Sequence, residues 1–141
     1  TQEHDKNLVN SLHLRDFIDN NSQTIEADAP ISHLFEMIKN GDKNIFAVVN
    51  REHLLEGVLT MDDIRPYLFN EDQELPPNIH KIMKAPPAVV HLEDNAVAIL
   101  KTFDDTGAWH LPVCNENDKF VGFISKSKIL TSYRELLKDY S

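Results

Sequence analysis

Displaced by 65 residues, the sequence falls into register with itself, without a gap, from Leu14/Ile79 to Ile64/Ile129. Strict identities are few: Val48/Val113, Asn50/Asn115, Gly57/Gly122 and Ile64/Ile129. The repeat is carried by residue class instead. Apolar faces apolar at sixteen positions, among them Phe17/Ile82, Ile25/Val90, Leu34/Ile99, Phe35/Leu100, Ile38/Phe103 and Leu59/Ile124. Each copy also sets a glycine before an apolar pair and a hydroxyl, as Gly57-Val-Leu-Thr60 and Gly122-Phe-Ile-Ser125. Two copies of one supersecondary unit are expected.

Within a copy the periodicity changes in a fixed order. After Asp28-Ala-Pro30, apolar residues at Ile31, Leu34, Phe35 and Ile38 have helical spacing, and Asn40-Gly41 closes the segment. In the second copy Asp94 precedes Ala96, Ile99, Leu100 and Phe103, and Gly107 terminates. Short apolar runs of buried-strand length follow, Ile45–Val49 and Leu111–Cys114, then polar turns, then Leu55–Leu59 and Phe120–Ile124, which read as hairpins. Thr60 and Ser125 stand where an N-cap belongs, opening closing helices at 61–69 and 126–139. The order is strand, helix, strand, strand, helix, twice. Pro66 should kink or end the first closing helix. The acidic, proline-rich run Asn70–Pro77 reads as a linker. A unit of this size has little core of its own, so the two copies are expected to pack as one globule.

Charge and composition narrow the function. Residues 1–78 hold 15 acids and 6 bases, whereas 79–141 hold eight of each, so the net charge of −9 belongs to the first copy and its linker. Such acidity argues against nucleic acid as a partner, because neutralising phosphates takes a basic face. No stretch reaches the ~20 apolar residues of a membrane span, and the polar start TQEHDKNLVN lacks the plan of a signal peptide. The single cysteine, Cys114, sits mid-strand as a small buried hydrophobe and points to a reducing compartment. The seven histidines (4, 13, 33, 53, 80, 91, 110) form no closely spaced pair of the kind zinc sites use. The acidic pairs Asp62-Asp63 and Asp104-Asp105 suit either a divalent cation or solvated helix ends. No nucleophile-and-base signature, P-loop or dinucleotide fingerprint is present, so no catalytic residue, metal site or required cofactor is expected.

The order of elements, the paired glycines and the Gly-x-x-Thr/Ser steps resemble a pair of CBS domains, the tandem regulatory module known as a Bateman module, over residues 12–139. The resemblance implies an α/β (α+β) fold of two tandem β-α-β-β-α units packed as one pseudo-symmetric globule. It divides the chain into a connector at 1–11, a first domain at 12–69, a linker at 70–78 and a second domain at 79–139. Longer strings look narrower still. Thr106-Gly-Ala-Trp-His-Leu-Pro-Val113, Val121-Gly-Phe-Ile-Ser-Lys-Ser-Lys-Ile129, Ser132-Tyr-Arg-Glu-Leu136, Gly57-Val-Leu-Thr-Met-Asp-Asp-Ile-Arg65 and the start Asp5-Lys-Asn-Leu8 resemble the cytosolic C-terminal tail of a bacterial CLC chloride channel or chloride/proton antiporter. On that resemblance the chain is an excised, non-enzymatic cytosolic piece of an integral plasma- or inner-membrane protein. Its partners would be its own transmembrane chloride-transport domain and a second copy of itself, with no insertion into the membrane by this segment. A ligand-free dimerisation module and a CBS regulator of an unrelated soluble protein are the alternatives.

Nucleotide-binding CBS domains carry a Gly-x-x-Thr/Ser-x-x-Asp pattern, which Gly57-Val-Leu-Thr-Met-Asp-Asp63 matches. On the resemblance, Thr60 and Asp63 would hold an adenine nucleotide (AMP, ADP or ATP) or adenosine. A carboxylate accepts ribose hydroxyls, and a helix start with a hydroxyl offers donors to phosphate. The same residues also form a capping arrangement, and both readings stand. In the second copy Lys128 replaces the acid beside Ser125, so one conventional site per chain is expected. The resemblance completes that site with Ala108, Trp109 and His110. Trp109 would pack on the adenine, or else serve as a core or interface aromatic. Arg65, Lys126 and Lys128 are the cations near the helix starts that phosphate would use, although Arg65 can equally pair with Asp62 or Asp63, and Lys128 can be a solvated surface charge. The apolar stripe Ile129, Leu130, Tyr133, Leu136, Leu137 and Tyr140 suits a dimer face or packing on its own sheet.

Overall fold

The structure is a computed structural model that describes residues 14–19, 21–68 and 78–140, the side chains of Leu136, Leu137, Asp139 and Tyr140 apart. The expected connector at 1–11 and the linker residues 70–77 lie outside the described residues, as do three side chains of the closing stripe. The chain is a mixed α/β protein. A 3-10 turn, Leu14–Phe17, leads into β1 (Ile18–Asp19), β2 (Gln23–Glu26), α1 (Ile31–Asn40), β3 (Ile45–Val49), β4 (Leu55–Thr60) and α2 (Met61–Leu68). A second 3-10 turn, Ile79–Lys81, precedes β5 (Val90–His91), α3 (Ala96–Thr106), β6 (His110–Cys114), β7 (Phe120–Ser125) and α4 (Lys126–Tyr140).

The displacement of 65 holds element by element. The starts of α1 and α3, β3 and β6, β4 and β7, and α2 and α4 differ by that number, and so do the two 3-10 turns. The buried side chains repeat with it: Leu14/Ile79, Phe17/Ile82, Ile25/Val90, Leu34/Ile99, Phe46/Leu111, Val48/Val113, Leu59/Ile124 and Ile64/Ile129 are all in the core. Burial of apolar area drives each unit together, at about 25 cal/mol per Å2 removed from water. The conserved class pattern is therefore a pattern of core positions.

The Asn50/Asn115 identity also has a local cause. The Asn50 carboxamide oxygen accepts the N–H groups of Glu52 at 2.9 Å and Leu54 at 3.0 Å, and that of Asn115 accepts Asn117 N–H at 2.9 Å. These bonds tighten the hairpin turns, and His53 and Asp118, again 65 apart, take the left-handed backbone at φ 69° and 62°. Helix ends are less alike. Gly107 adopts φ 70° and returns its N–H to Phe103 C=O at 2.9 Å, whereas Gly41 is extended. The Asn95 carboxamide caps α3 by accepting Ala98 N–H at 2.8 Å. Pro30 occupies the corresponding place at α1 and supplies no cap. Pro66 lies inside α2, two residues before its last described turn ends at Leu68.

The compact units differ from the segments 12–69 and 79–139 expected from sequence. One comprises Asn21–Pro86 with Asp118–Phe120; the other comprises Pro87–Asn117 and 121–140 together with 14–19. Each copy's leading turn thus packs in the core of the other copy's unit. Ile79 and Ile82 join Ile25, Ile31, Leu34, Phe46, Val48, Leu59 and Ile64, while Leu14, Phe17 and Ile18 join Val90, Ile99, Phe103, Leu111, Val113, Ile124 and Ile129. In the first of these units β2, β3 and β4 form a sheet in that order, β2 parallel and β4 antiparallel to β3, with a bulge between Val48 and Val49. In the other unit the order is β1-β7-β6-β5, with β1 antiparallel to β7 and β5 parallel to β6. The parallel pairs are the outcome of strand-helix-strand crossovers, which a helix of ten or so residues makes possible.

Candidate functional site

The site expected at Thr60 and Asp63 forms at the junction of β4 and α2. Thr60 ends the strand and Asp63 stands in the first turn of the helix, so both face the same point. Oδ2 of Asp63 accepts the Thr60 N–H at 3.0 Å and the Thr60 hydroxyl at 3.0 Å. The carboxylate thereby satisfies an orphan donor at the helix start, the capping role. Its other oxygen, Oδ1, lies 2.6 Å from Nζ of Lys84. Burial pushes the Asp63 carboxyl up, but the Lys84 ammonium and the two Thr60 donors outweigh that and hold it below the ordinary carboxylate range. The Asp63 side chain is 9% exposed and ionised, whereas that of Lys84 is 70% exposed.

Lys84 was not among the cations that sequence reasoning placed near the site. It arrives because the segment after the second 3-10 turn packs in the first copy's unit. The Lys84 N–H donates to Val58 C=O at 3.0 Å and the Lys84 C=O accepts the Val58 N–H at 2.8 Å, extending the edge of β4 by one bridge. The 3-10 turn is tied down as well, Ile79 N–H donating to Ala29 C=O at 3.2 Å and His80 N–H to Ala27 C=O at 2.9 Å. Gly57 permits this approach, since a Cβ there would meet Met83 Sδ at 2.9 Å and the Lys84 carbonyl oxygen at 3.0 Å. Asp62, Asp63, Pro66, Tyr67, Lys81, Ile82, Met83 and Lys84 line a cleft of about 410 Å3 beside the pair. That volume falls within the range of about 300–1,000 Å3 usual for small-molecule sites.

The remaining expected residues are distributed as follows. Arg65 donates to Asp62 at 2.8 Å on its own helix, the ion pair weighed against a phosphate contact. Ala108, Trp109 and His110 stand at the start of β6 in the other unit, together with Ser125, Lys126 and Lys128. Trp109 is 65% exposed, which excludes the core reading for it. Lys126 Nζ sits 5.5 Å from the centroid of its ring and 3.0 Å from Asp104. With lysine in place of the acid, the Ser125 hydroxyl accepts the Lys128 N–H at 3.0 Å as a plain N-cap, and the Lys128 side chain is exposed. Ile129 is buried against its own sheet, with Leu130 and Tyr133 half-buried. Among the described residues no group of three or more His, Cys, Asp or Glu gathers as a cation site. No helix among the described residues is long and apolar enough to cross a membrane.

The sequence matches the CBS domain family over residues 9–70 and 79–135. The chain belongs to the CBS-domain family. Solved structures of CBS proteins superpose on it. A CBS domain protein from Streptococcus pneumoniae TIGR4 matches with TM-score 0.76 at 20% identity, over 96% of this chain and 95% of that one. CBSX2, solved in complex with AMP, matches at 0.70 and 19% identity over 86% and 95%. The cytosolic domain of the Mg2+ channel MgtE, solved in complex with ATP, matches at 0.70 and 15% identity over 82% of this chain and 46% of that one. At such identities the likeness establishes the fold. A search among curated proteins finds no match. CBS pairs are regulatory modules, and this pair carries an ionised, partly buried carboxylate beside an open cleft.

Proposed function

We propose that this CBS pair is a regulatory module that binds an adenine nucleotide at Thr60 and Asp63. The observation that carries the reading is the Asp63 carboxylate itself: ionised, fixed by two Thr60 donors and set at the rim of a cleft of ligand size. A carboxylate fixed in this way can accept ribose hydroxyls on Oδ1 once the Lys84 ammonium moves aside, and the first turn of α2 supplies the favourable end of a helix dipole. CBS proteins of the same fold solved with AMP and with ATP make adenine nucleotides the ligands to try. Thermal shift with adenosine, AMP, ADP and ATP tests it. A bound nucleotide raises the unfolding temperature by mass action, and Asp63→Ala loses that shift. No shift with any of the four would remove the reading.

We further propose that the module belongs to the cytosolic tail of a CLC-type chloride channel or chloride/proton antiporter and acts as a homodimer. The support is the wording of Thr106–Val113, Val121–Ile129, Ser132–Leu136 and Gly57–Arg65. A ligand transmits a signal to a membrane part only through a difference in affinity between two states of the module. The coding sequence upstream of Thr1 decides the attachment. Hydrophobic helices ending there support it, and a start codon sinks it.

A second reading is a ligand-free dimerisation module. It draws on the fact that Asp63 is already satisfied by Thr60 and Lys84, and on the exposed Trp109. Sedimentation with and without nucleotide separates the two.

A further inference from the structure

Lys84 holds the oxygen of Asp63 that a ligand would need. Oδ2 is committed to both donors of Thr60, which leaves Oδ1, and that oxygen lies 2.6 Å from the ammonium. A ribose diol brings neutral O–H donors to the same place. A hydroxyl brings no charge to the carboxylate, whereas the ammonium brings a full one, so a nucleoside gains less from Oδ1 than the ion pair it displaces. It also takes from the ammonium its direct counter-charge, leaving it Asp62, which is already paired with Arg65, in a cleft that also carries Lys81. A nucleotide brings its own anion. The lysine side chain is long, flexible and largely exposed, so its ammonium can move from carboxylate to phosphate while its backbone stays bridged to Val58.

We propose that Lys84 is the specificity residue of this site: it exchanges Asp63 for the phosphate of a bound nucleotide, and so makes the cleft select nucleoside phosphates over nucleosides. The proposal rests on the reading of Thr60 and Asp63 as ribose contacts. The repeat confines the device to one copy. At the same displacement of 65, Asp19 corresponds to Lys84 and Lys128 to Asp63, with Asp19 opposite Phe123 as Lys84 is opposite Val58. The charges are reversed, and the second copy offers no carboxylate at the helix position.

Calorimetry with adenosine and AMP on the full chain tests this, using wild type, Lys84→Met, Lys84→Arg and Asp63→Ala. Circular dichroism confirms that each variant is folded. Wild type is expected to prefer AMP by about tenfold or more, the scale of one charge-assisted hydrogen bond. Lys84→Met brings the two affinities within about threefold of each other, through tighter adenosine and weaker AMP, and Lys84→Arg keeps the preference. An AMP-to-adenosine ratio unchanged in Lys84→Met, with both ligands lost in Asp63→Ala, overturns the role of Lys84 and leaves the ribose site standing. Binding of neither ligand to wild type or Lys84→Met overturns the ribose site, and the proposal with it.

Discussion

Nζ of Lys84 lies 2.6 Å from Oδ1 of Asp63, joining residues from the two sides of the linker. The contact exists because the turn Ile79–Lys81 and the residues after it pack with the first copy, so cations counted in the neutral second half of the sequence serve the acidic first half. An ion pair of this kind leaves a pH signature. The Asp63 carboxyl is held below its ordinary range, so its contribution to stability is complete above that range and is lost as pH falls through the lowered value. Lys84 is raised, so its share is complete below the ordinary lysine value and is lost as pH rises through the raised one. Urea unfolding of wild type and Asp63→Asn should therefore differ at neutral pH and converge as pH falls below the ordinary carboxylate range and through the lowered Asp63 value. An equal difference across that range would contradict this account of Asp63.

Ile79 is fully buried in the unit built around β2, β3 and β4, although it precedes the other copy in sequence. Ile79→Ala should cost about 2–4 kcal/mol. Hydrogen exchange should show the loss first in β3 and β4, and protection lost only in β6 and β7 would contradict the exchange of turns.

The sequence made the repeat legible because burial is periodic: the displacement of 65 that aligns Leu34 with Ile99 and Ile64 with Ile129 also aligns their places in the two cores. The exchange of the leading turns was not legible. Leu14 and Ile79 are equivalent apolar residues, and apolar character alone does not say which of two equivalent cores a residue enters. Thr60 and Asp63 were found from their spacing on one helix start. Lys84 was missed because its partner lies across the linker, yet the signal was present in the reversal Asp19/Lys84 against Asp63/Lys128. Arg65 shows the converse, since its pairing with Asp62 is local and was anticipated.

Gly57 is held by a close approach, not by an unusual backbone angle. Gly57→Ala sets a methyl against Met83 Sδ and the Lys84 carbonyl oxygen, which should cost about 1–3 kcal/mol by overpacking. The same substitution displaces the bridge that carries Lys84, so the lysine ammonium resonance should lose its Asp63-linked shift by NMR. A variant as stable as wild type with that shift intact would refute the packing argument.

Asn95 caps α3 through a single hydrogen bond to Ala98 N–H. Asn95→Ala should lower stability by about 1 kcal/mol, and Asn95→Asp should leave it nearly unchanged. Thermal unfolding of the two variants measures this, and equal losses in both would show that the carboxamide is not acting as a cap.

The central claim is that Asp63 is a ligand contact as well as a helix cap, and one calorimetric titration bears on it most directly: AMP into the full chain, wild type against Asp63→Ala, with folding of both verified. Saturable binding to wild type, weakened by tenfold or more in Asp63→Ala, is the predicted result, the scale of losing one charge-assisted contact. Equal affinity in the two proteins, or no heat of binding in wild type, would contradict it and leave Asp63 a helix cap and ion-pair partner alone.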